Sequence, residues 1–252
     1  MERKPFDYGA FGKVYKAKWR KETVVIKVIK ARSEEERQAI KREASLTLRL
    51  NHPNIIKLFG ITCMKRKKHG IVMEEAEHGS LNTWIGKIDH EKITKIALGI
   101  IAGLEYLHSH KVIHRDIKPQ NILMFGPRDD MVPKIADFGV SKVIQTVMTL
   151  SRAGQELYMA PEVRMNLRYG FKADIFSLSM VLFEMFNEQL ITESSDEVNR
   201  FIMGVGQHIG KIDEIPKSCK VPAYLHNVIE RGGRREPEER PPLSEYYLAL
   251  LG

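Results

Sequence analysis

The pattern of apolar and polar positions predicts a β-rich segment followed by a longer helical one. Up to residue 73, short apolar stretches alternate with polar positions, and the runs at 55–62 and 70–73 are predicted to be strands. Residues 91–110 carry apolar side chains at helical spacing, which predicts a long buried helix. The pattern therefore indicates an α+β fold with a small β-rich part and a larger, mainly helical part.

One helix is expected inside the β-rich part. Residues 33–50 begin with Ser33, a suitable N-cap, and continue with three glutamates that favour the positive end of the helix dipole. Apolar residues follow at helical spacing, and Glu43 falls on their inward face. Most helix glutamates are solvated charges, so Glu43 gains a role only through the motifs around it.

Two motifs in the helical part combine groups suited to phosphoryl transfer. The first reads His114-Arg115-Asp116-Ile117-Lys118-Pro119-Gln120-Asn121, and the second reads Asp137-Phe138-Gly139. Together they resemble the catalytic and metal-binding loops of eukaryotic protein kinases. The resemblance implies that Asp116 accepts the proton of a substrate hydroxyl and that Lys118 steadies developing charge. It also implies that Asn121 and Asp137 bind the Mg²⁺ ions that bridge the phosphates of ATP.

An upstream segment resembles the phosphate-covering hairpin of the same family. The pattern G-x-G-x-x-G-x-V is matched at Gly9, Gly12 and Val14, whereas Asp7 stands where the first glycine is expected. Glycine lets the backbone approach a phosphate closely, so Asp7 departs from the pattern in both shape and charge. The nucleotide-binding loop is predicted to comprise Phe6, Asp7, Tyr8, Gly9, Ala10, Phe11, Gly12, Lys13 and Val14.

The following strand and helix supply a charged pair, and the junction after them supplies an adenine site. Val24-Val25-Ile26-Lys27 resembles the strand whose lysine binds the α- and β-phosphates, and Glu43 is then the expected ion-pair partner of Lys27. By the same resemblance Met73 lies behind the adenine, and the backbone of Glu74 and Ala76 hydrogen-bonds its edge. The side chains expected to sandwich the ring are Val14, Val25 and Leu123.

The resemblance covers nearly the whole chain and implies one two-lobed kinase domain at 1–252. Its N-lobe is predicted at 1–73, its hinge at 74–76 and its C-lobe at 77–252. In the C-lobe, Asp174 is expected to accept N–H bonds from the catalytic loop, and Arg240 is expected to pair with Glu162. Phe176 and Ser179 depart from the family pattern without removing a catalytic group.

Regulation by phosphorylation is expected from the segment between Asp137 and the triplet Ala160-Pro161-Glu162, which resembles a kinase activation segment. Arg115, which precedes the catalytic aspartate, is expected to pair with a phosphate there, because a phosphate adds charge and strong acceptors. Thr47 replaces a large apolar residue that normally helps to hold the helix at 33–50, which indicates dependence on an activating event. The candidate phosphorylation sites are Thr146, Thr149 and Ser151.

Composition agrees with this interpretation and excludes other classes. The chain has 252 residues and a net charge of +8. Its two cysteines argue against a disulfide framework and for a reducing compartment, so a cytoplasmic location is expected. No apolar run reaches the length of a membrane span, no signal peptide opens the chain, and no nucleic-acid-binding signature is present. Met1 can be a start within a longer protein, so flanking domains or a regulatory partner are compatible with the sequence.

The predicted function is ATP-dependent phosphorylation of serine and threonine hydroxyls on protein substrates. The lysine at 118, two residues after Asp116, is similar to the pattern of Ser/Thr kinases. The segment Leu58-Phe59-Gly60 is similar to sequences of the tyrosine-kinase-like branch. The alternative is a nucleotide-binding pseudokinase scaffold, which Asp7, Thr47 and Gln155 favour and which the intact catalytic groups oppose. A kinase acting on small molecules is disfavoured by the triplet at 160–162 and the helices after it.

Overall fold

A computed structural model describes residues 7–9, 12–30, 33–64, 68–137, 157–190 and 215–252. Its β-rich part is a five-stranded antiparallel sheet in the order β1-β2-β3-β5-β4. The strands are β1 (Asp7–Gly9), β2 (Gly12–Trp19), β3 (Glu22–Lys30), β4 (Leu58–Met64) and β5 (Lys68–Glu74). Helix α1 (Glu34–Thr47) connects β3 to β4 and contacts β4.

The rest of the described chain is mainly helical. A short hairpin, β6 (Ile122–Phe125) and β7 (Val132–Ile135), contacts α2 through β7. The helices are α2 (His90–Ser109), α3 (Pro161–Arg164), α4 (Lys172–Asn187), α5 (Ala223–Gly232) and α6 (Leu243–Leu251). Short 3₁₀ turns lie at Leu81–Thr83, Pro119–Asn121 and Pro237–Glu239. The predicted α+β fold is confirmed, and no helix within the described ranges is long and apolar enough to cross a membrane.

Helix α1 begins as predicted and ends earlier. The Ser33 hydroxyl accepts a hydrogen bond from the backbone N–H of Glu36 at 3.2 Å, so Ser33 caps the first turn. The helix ends at Thr47, whereas the apolar pattern had predicted residue 50. The apolar pattern extends past the end of the helix because Leu50, which lies in the following turn, also packs against the core. An apolar residue that is buried from a turn cannot be distinguished by pattern from one that is buried from a helix.

The predicted strand at 55–62 begins later, at Leu58. Ile55 and Ile56 are buried, but Ile55 forms a parallel bridge with Ile135, and the N–H of Ile56 donates to the carbonyl of Ile135 at 2.9 Å. These residues therefore attach the loop after α1 to β7 in the helical part. Their apolar character comes from that contact and not from the five-stranded sheet.

Helix α4 lies at the centre of the helical part. All its residues after Lys172 are buried, including Asp174, Ser179 and Glu184. Helix α5 packs against α4 so closely that a Cβ on Gly232 would lie 2.0 Å from the Ser179 hydroxyl oxygen. Ser179, which departs from the family pattern, lies 2.6 Å from the hydroxyl of buried Tyr246 and thereby links α4 to α6.

Candidate active site

One buried carboxylate fixes the backbone of the catalytic loop. Asp174, at the start of α4, accepts hydrogen bonds from the backbone N–H groups of His114 and Arg115, each at 2.8 Å. Arg115 has a φ of 73°, in the left-handed region that non-glycine residues rarely adopt. The two bonds offset the cost of this conformation, and they were expected from the sequence. Nε2 of His108 also lies 2.9 Å from Asp174, a contact that was not expected.

His114 ties the same loop to the chain just before Asp137. Its Nε2 lies 2.8 Å from the carbonyl oxygen of Ala136, and its Nδ1 accepts the backbone N–H of Asp116 at 3.1 Å. The ring is buried. The loop that carries Asp116 and the residue that precedes Asp137 are therefore fixed relative to one another.

The Asp116 carboxylate lies between two side chains of its own loop. Nζ of Lys118 lies 3.0 Å from Oδ1 and 2.9 Å from Oδ2. The amide nitrogen of Asn121 donates to the backbone carbonyl of Asp116 at 2.7 Å and to Oδ2 at 2.8 Å. The 3₁₀ turn at Pro119–Asn121 brings Asn121 back toward Asp116. The Asp116 side chain is thus placed to accept a hydroxyl proton, with the Lys118 cation beside it.

Lys27 and Asp137 form an ion pair across the two parts of the fold. Nζ of Lys27 lies 2.6 Å from Oδ2 of Asp137, and Lys27 is buried. Burial by itself raises the pKa of Asp137, but the charge and hydrogen bond of Lys27 together hold that pKa below its usual value. Asp137 is therefore ionised at neutral pH, as a metal ligand must be. The predicted partner of Lys27 was Glu43, whose side chain lies outside the described part of the structure.

One face of the sheet gathers the residues predicted around the adenine. Val14 is the cross-strand partner of Lys27, and Val25 is the partner of Met73. Because Val25 and Lys27 are two apart on β3, all four side chains lie on the same face. Val25 and Met73 are buried and Val14 is partly so. Leu123 lies on β6, in the hairpin of the helical part, and is also partly buried.

Two carboxylates at the junction have structural partners that the sequence did not indicate. The carboxylate of Glu74 accepts two bonds from Nζ of Lys134, at 2.8 and 2.7 Å, and one from the backbone N–H of Lys57 at 2.7 Å. The backbone N–H of Glu74 donates to the carbonyl of Lys57 at 3.1 Å, so this N–H already has a partner. Glu75 pairs with Lys16 of β2 at 2.5 Å. Half-buried Ala76 follows.

Some of the predicted site residues lie wholly or partly outside the described part of the chain. Phe6, Ala10 and Phe11 lie outside the described ranges, and for Asp7, Tyr8, Gly9 and Gly12 only the backbone of β1 and β2 is described. Lys13 lies on β2 with an exposed side chain. The segment 138–156, with Phe138, Gln155 and the three candidate phosphorylation sites, also lies outside the described residues.

The groups that are described fit a nucleotide with a divalent metal. Asn121 uses its amide nitrogen on Asp116, which leaves its amide oxygen as a ligand atom. Asp137 adds an ionised carboxylate, and hard oxygen donors of this kind suit Mg²⁺. Lys27 places a buried cation beside Asp137, where phosphate oxygens can be bound. The donor set therefore agrees with the predicted ligands.

Comparison with known proteins gives a consistent result. Residues 6–247 match the protein kinase domain family. The chain is 35% identical over 246 residues to mitogen-activated protein kinase kinase kinase 7 of Homo sapiens, covering 94% of this chain and 39% of that protein. It is 31% identical over 257 residues to the serine/threonine/tyrosine-protein kinase HT1 of Arabidopsis thaliana, covering 97% of this chain and 64% of that protein. The chain thus spans less than two thirds of the length of these relatives.

Proposed function

The chain belongs to the protein kinase family, and from that premise we propose that it transfers the γ-phosphate of ATP to serine or threonine hydroxyls of protein substrates. Protein kinases use ATP and typically a divalent metal, and we propose Mg²⁺ as the metal here. The observation that carries the proposal is the Asp116 carboxylate, which is held between Nζ of Lys118 and the amide of Asn121. The relatives named mitogen-activated protein kinase kinase kinase 7 and serine/threonine/tyrosine-protein kinase HT1 also support it.

Each described residue has a defined task in this proposal. Asp116 orients the substrate hydroxyl and accepts its proton, while Lys118 stabilises negative charge that develops beside it. Lys27 binds phosphate oxygens, and Asn121 and Asp137 supply oxygen ligands to Mg²⁺. A bound Mg²⁺ would supply positive charge that offsets the negative charge of the ATP phosphates. We retain Glu43 as the proposed partner of Lys27, and Val14, Val25, Met73 and Leu123 as the proposed walls of the adenine site.

The wider organisation is proposed on the same basis. The lobes are assigned to 1–73 and 77–252, with the hinge at 74–76, where Glu74 and Glu75 make the ion pairs described above. We also propose a cytoplasmic location, assignment to the tyrosine-kinase-like branch, and additional segments or partners in the whole protein. The incomplete coverage of the relatives supports the last of these.

The decisive experiment is a radiolabelled ATP transfer assay with generic protein substrates, run on the wild type and Asp116→Asn. We expect the variant to lose at least about 100-fold in kcat, because a general base contributes on this order, while its ATP affinity is retained. Glu91→Gln, an exposed change on α2, is the matched control and should match the wild type. A wild type that binds ATP without transfer, or an Asp116→Asn variant with full activity, would establish the pseudokinase scaffold or a different site.

We further propose regulation by phosphorylation of the segment 138–156. The guanidinium of Arg115 lies 5.3 Å from the ring centre of Tyr169, and its Nε is buried with no hydrogen-bond partner among the described residues. A phosphate on Thr149 or Ser151, or less favourably on Thr146, would give Arg115 a charge-assisted partner. Phosphatase treatment should therefore lower the activity. Equal activity before and after treatment, with mass spectrometry confirming removal of phosphate, would exclude Arg115 as a phosphate sensor.

A further inference from the structure

The loop between α3 and α4 exposes apolar side chains on a rigid support. Met165 is 49% exposed and Leu167 is 56% exposed. Both lie within an unbroken run of exposed residues, 164–168, which begins at the last residue of α3 and which we call the 164–168 loop. Exposed apolar residues that occur singly need no explanation, but two large ones in five consecutive exposed positions form a small apolar surface.

The backbone of the 164–168 loop is fixed. The N–H of Met165 donates to the carbonyl of Pro161 at 3.0 Å, and the N–H of Leu167 donates to the carbonyl of Glu162 at 2.9 Å. Asn166 between them adopts a φ of 58°, which asparagine tolerates better than most residues. The base is anchored in turn, because Glu162 accepts two hydrogen bonds from buried Arg240. The apolar side chains are therefore presented without a large ordering cost to a partner.

The loop is physically joined to the catalytic centre. Tyr169, directly after it, is half-buried against the core and lies under the guanidinium of Arg115. Arg115 immediately precedes Asp116 in the catalytic loop. A protein chain whose hydroxyl reaches Asp116 can therefore contact the 164–168 loop with another part of its surface.

The charge of this region selects the kind of partner. Residues 163–173 contain Arg164, Arg168 and Lys172 and no acidic residue. Arg164 and Arg168 are both exposed and bracket the two apolar side chains. The complementary surface is a segment in which apolar side chains alternate with carboxylates.

We propose that the 164–168 loop is a docking site for an acidic, apolar segment of the protein substrate, separate from the residue that is phosphorylated. The proposal rests on the proposed kinase function and assigns a substrate class to it. Met165 and Leu167 supply apolar contact area, and Arg168 supplies charge complementarity. None of the three takes part in the transfer itself, so the docking contact acts on substrate affinity.

Three fluorescein-labelled peptides test the proposal. All share one serine-containing acceptor sequence and a flexible glycine-serine linker. The first ends in the arm Glu-Leu-Asp-Phe-Glu, the second has serine in place of the two apolar residues of the arm, and the third has lysine in place of its three acids. Steady-state kinetics give KM and kcat, and fluorescence anisotropy gives binding without any need for transfer.

We expect the first peptide to have a KM about tenfold lower than the second, from partial burial of two apolar side chains, with equal kcat. The variant Met165→Ser/Leu167→Ser should abolish this advantage while its kinetics on the second peptide stay unchanged. Arg168→Gln should weaken binding of the first peptide and reduce its salt dependence. Leu248→Ser, which alters a leucine on α6 that is more exposed than Leu167, should change nothing.

The proposal is overturned if the first and second peptides have equal KM and anisotropy, or if Met165→Ser/Leu167→Ser keeps the full preference. Binding of the third peptide as tightly as the first would overturn the charge assignment. Failure of the kinase function is seen separately, as absence of transfer to all three peptides. In that case the anisotropy comparison still decides whether the loop binds the acidic, apolar arm.

Discussion

Arg240 anchors α3 through a guanidinium group whose N–H groups all donate hydrogen bonds. Its Nη1 and Nη2 donate to the two oxygens of Glu162 at 2.7 and 2.8 Å. Its remaining N–H groups donate to the backbone carbonyls of Arg234, Lys172 and Arg235. Arg240 is 1% exposed and Glu162 is 6% exposed. Arg240→Met fills much of the space but leaves the Glu162 carboxylate buried without its cation.

The expected cost follows from that stranded charge. Removing one partner of a buried ion pair typically destabilises a protein by about 3–5 kcal/mol, and here three carbonyl oxygens also lose a donor. Arg240→Lys keeps the charge but not the planar fork, so it should recover only part of the loss. Adding Glu162→Leu to Arg240→Met should restore stability relative to Arg240→Met alone, because the unpaired carboxylate is then gone.

Urea unfolding followed by tryptophan fluorescence and circular dichroism measures these differences from the midpoints, provided that the slope of the transition is unchanged. Arg231→Met is the matched control, because the Arg231–Glu245 pair is 34% and 39% exposed and should contribute at most about 1 kcal/mol. The reasoning fails if Arg240→Met costs no more than Arg231→Met. It also fails if the double variant is less stable than Arg240→Met, since Glu162 would then not be the stranded group.

Three further predictions concern packing, pH and metal binding. Gly232→Ala should lower the free energy of unfolding by about 1–3 kcal/mol, because the new Cβ would lie 1.8 Å from the Tyr246 hydroxyl oxygen. Gly170→Ala is the control and should not lower it, because a Cβ there has open space around it. Equal unfolding midpoints for the two variants would refute the packing argument. Burial lowers the pKa of His52, and burial with Lys41 and Arg37 lowers the pKa of His69 against the opposing charge of Glu34, so both bind fewer protons folded than unfolded. The free energy of unfolding should therefore be at its full value above pH 6.5 and should fall below that pH, where the unfolded chain takes up protons first. In urea titrations between about pH 7 and 5, His69→Gln should make this fall less steep. Asp137→Asn should weaken Mg²⁺-dependent ATP binding at least about tenfold by calorimetry, and an affinity that ignores both the substitution and the metal would remove Asp137 from the proposed metal site.

Local sequence was enough to predict elements whose signals are local. Helix α2 was expected at 91–110 and occupies His90–Ser109, because eight of its residues are buried along one apolar stripe. The catalytic loop was likewise predicted as a unit, and Lys118 and Asn121 do meet around Asp116. These residues are close in sequence, so their spacing restricts their geometry.

Contacts between residues far apart in sequence were predicted only where the family resemblance implied them. The bonds from Asp174 to the catalytic loop and from Arg240 to Glu162 were expected in that way. The pair formed by Glu74 and Lys134 was not expected, since the resemblance gave a role only to the backbone of Glu74 and nothing local to either residue indicates the other. The early start predicted for β4 has the same origin, because the partner of Ile55 is Ile135, far along the chain.

The ion pair between Lys27 and Asp137 bears on how the proposed ligands bind. In the described structure these two groups satisfy each other at 2.6 Å, and Lys27 is almost fully buried. A phosphate oxygen that binds Lys27 weakens its attraction for the carboxylate, and a metal that binds Asp137 weakens the attraction in the other direction. Each ligand therefore lowers the cost of binding the other, and by linkage the coupling is reciprocal. It follows that the proposed site should bind nucleotide and metal together more strongly than it binds either alone.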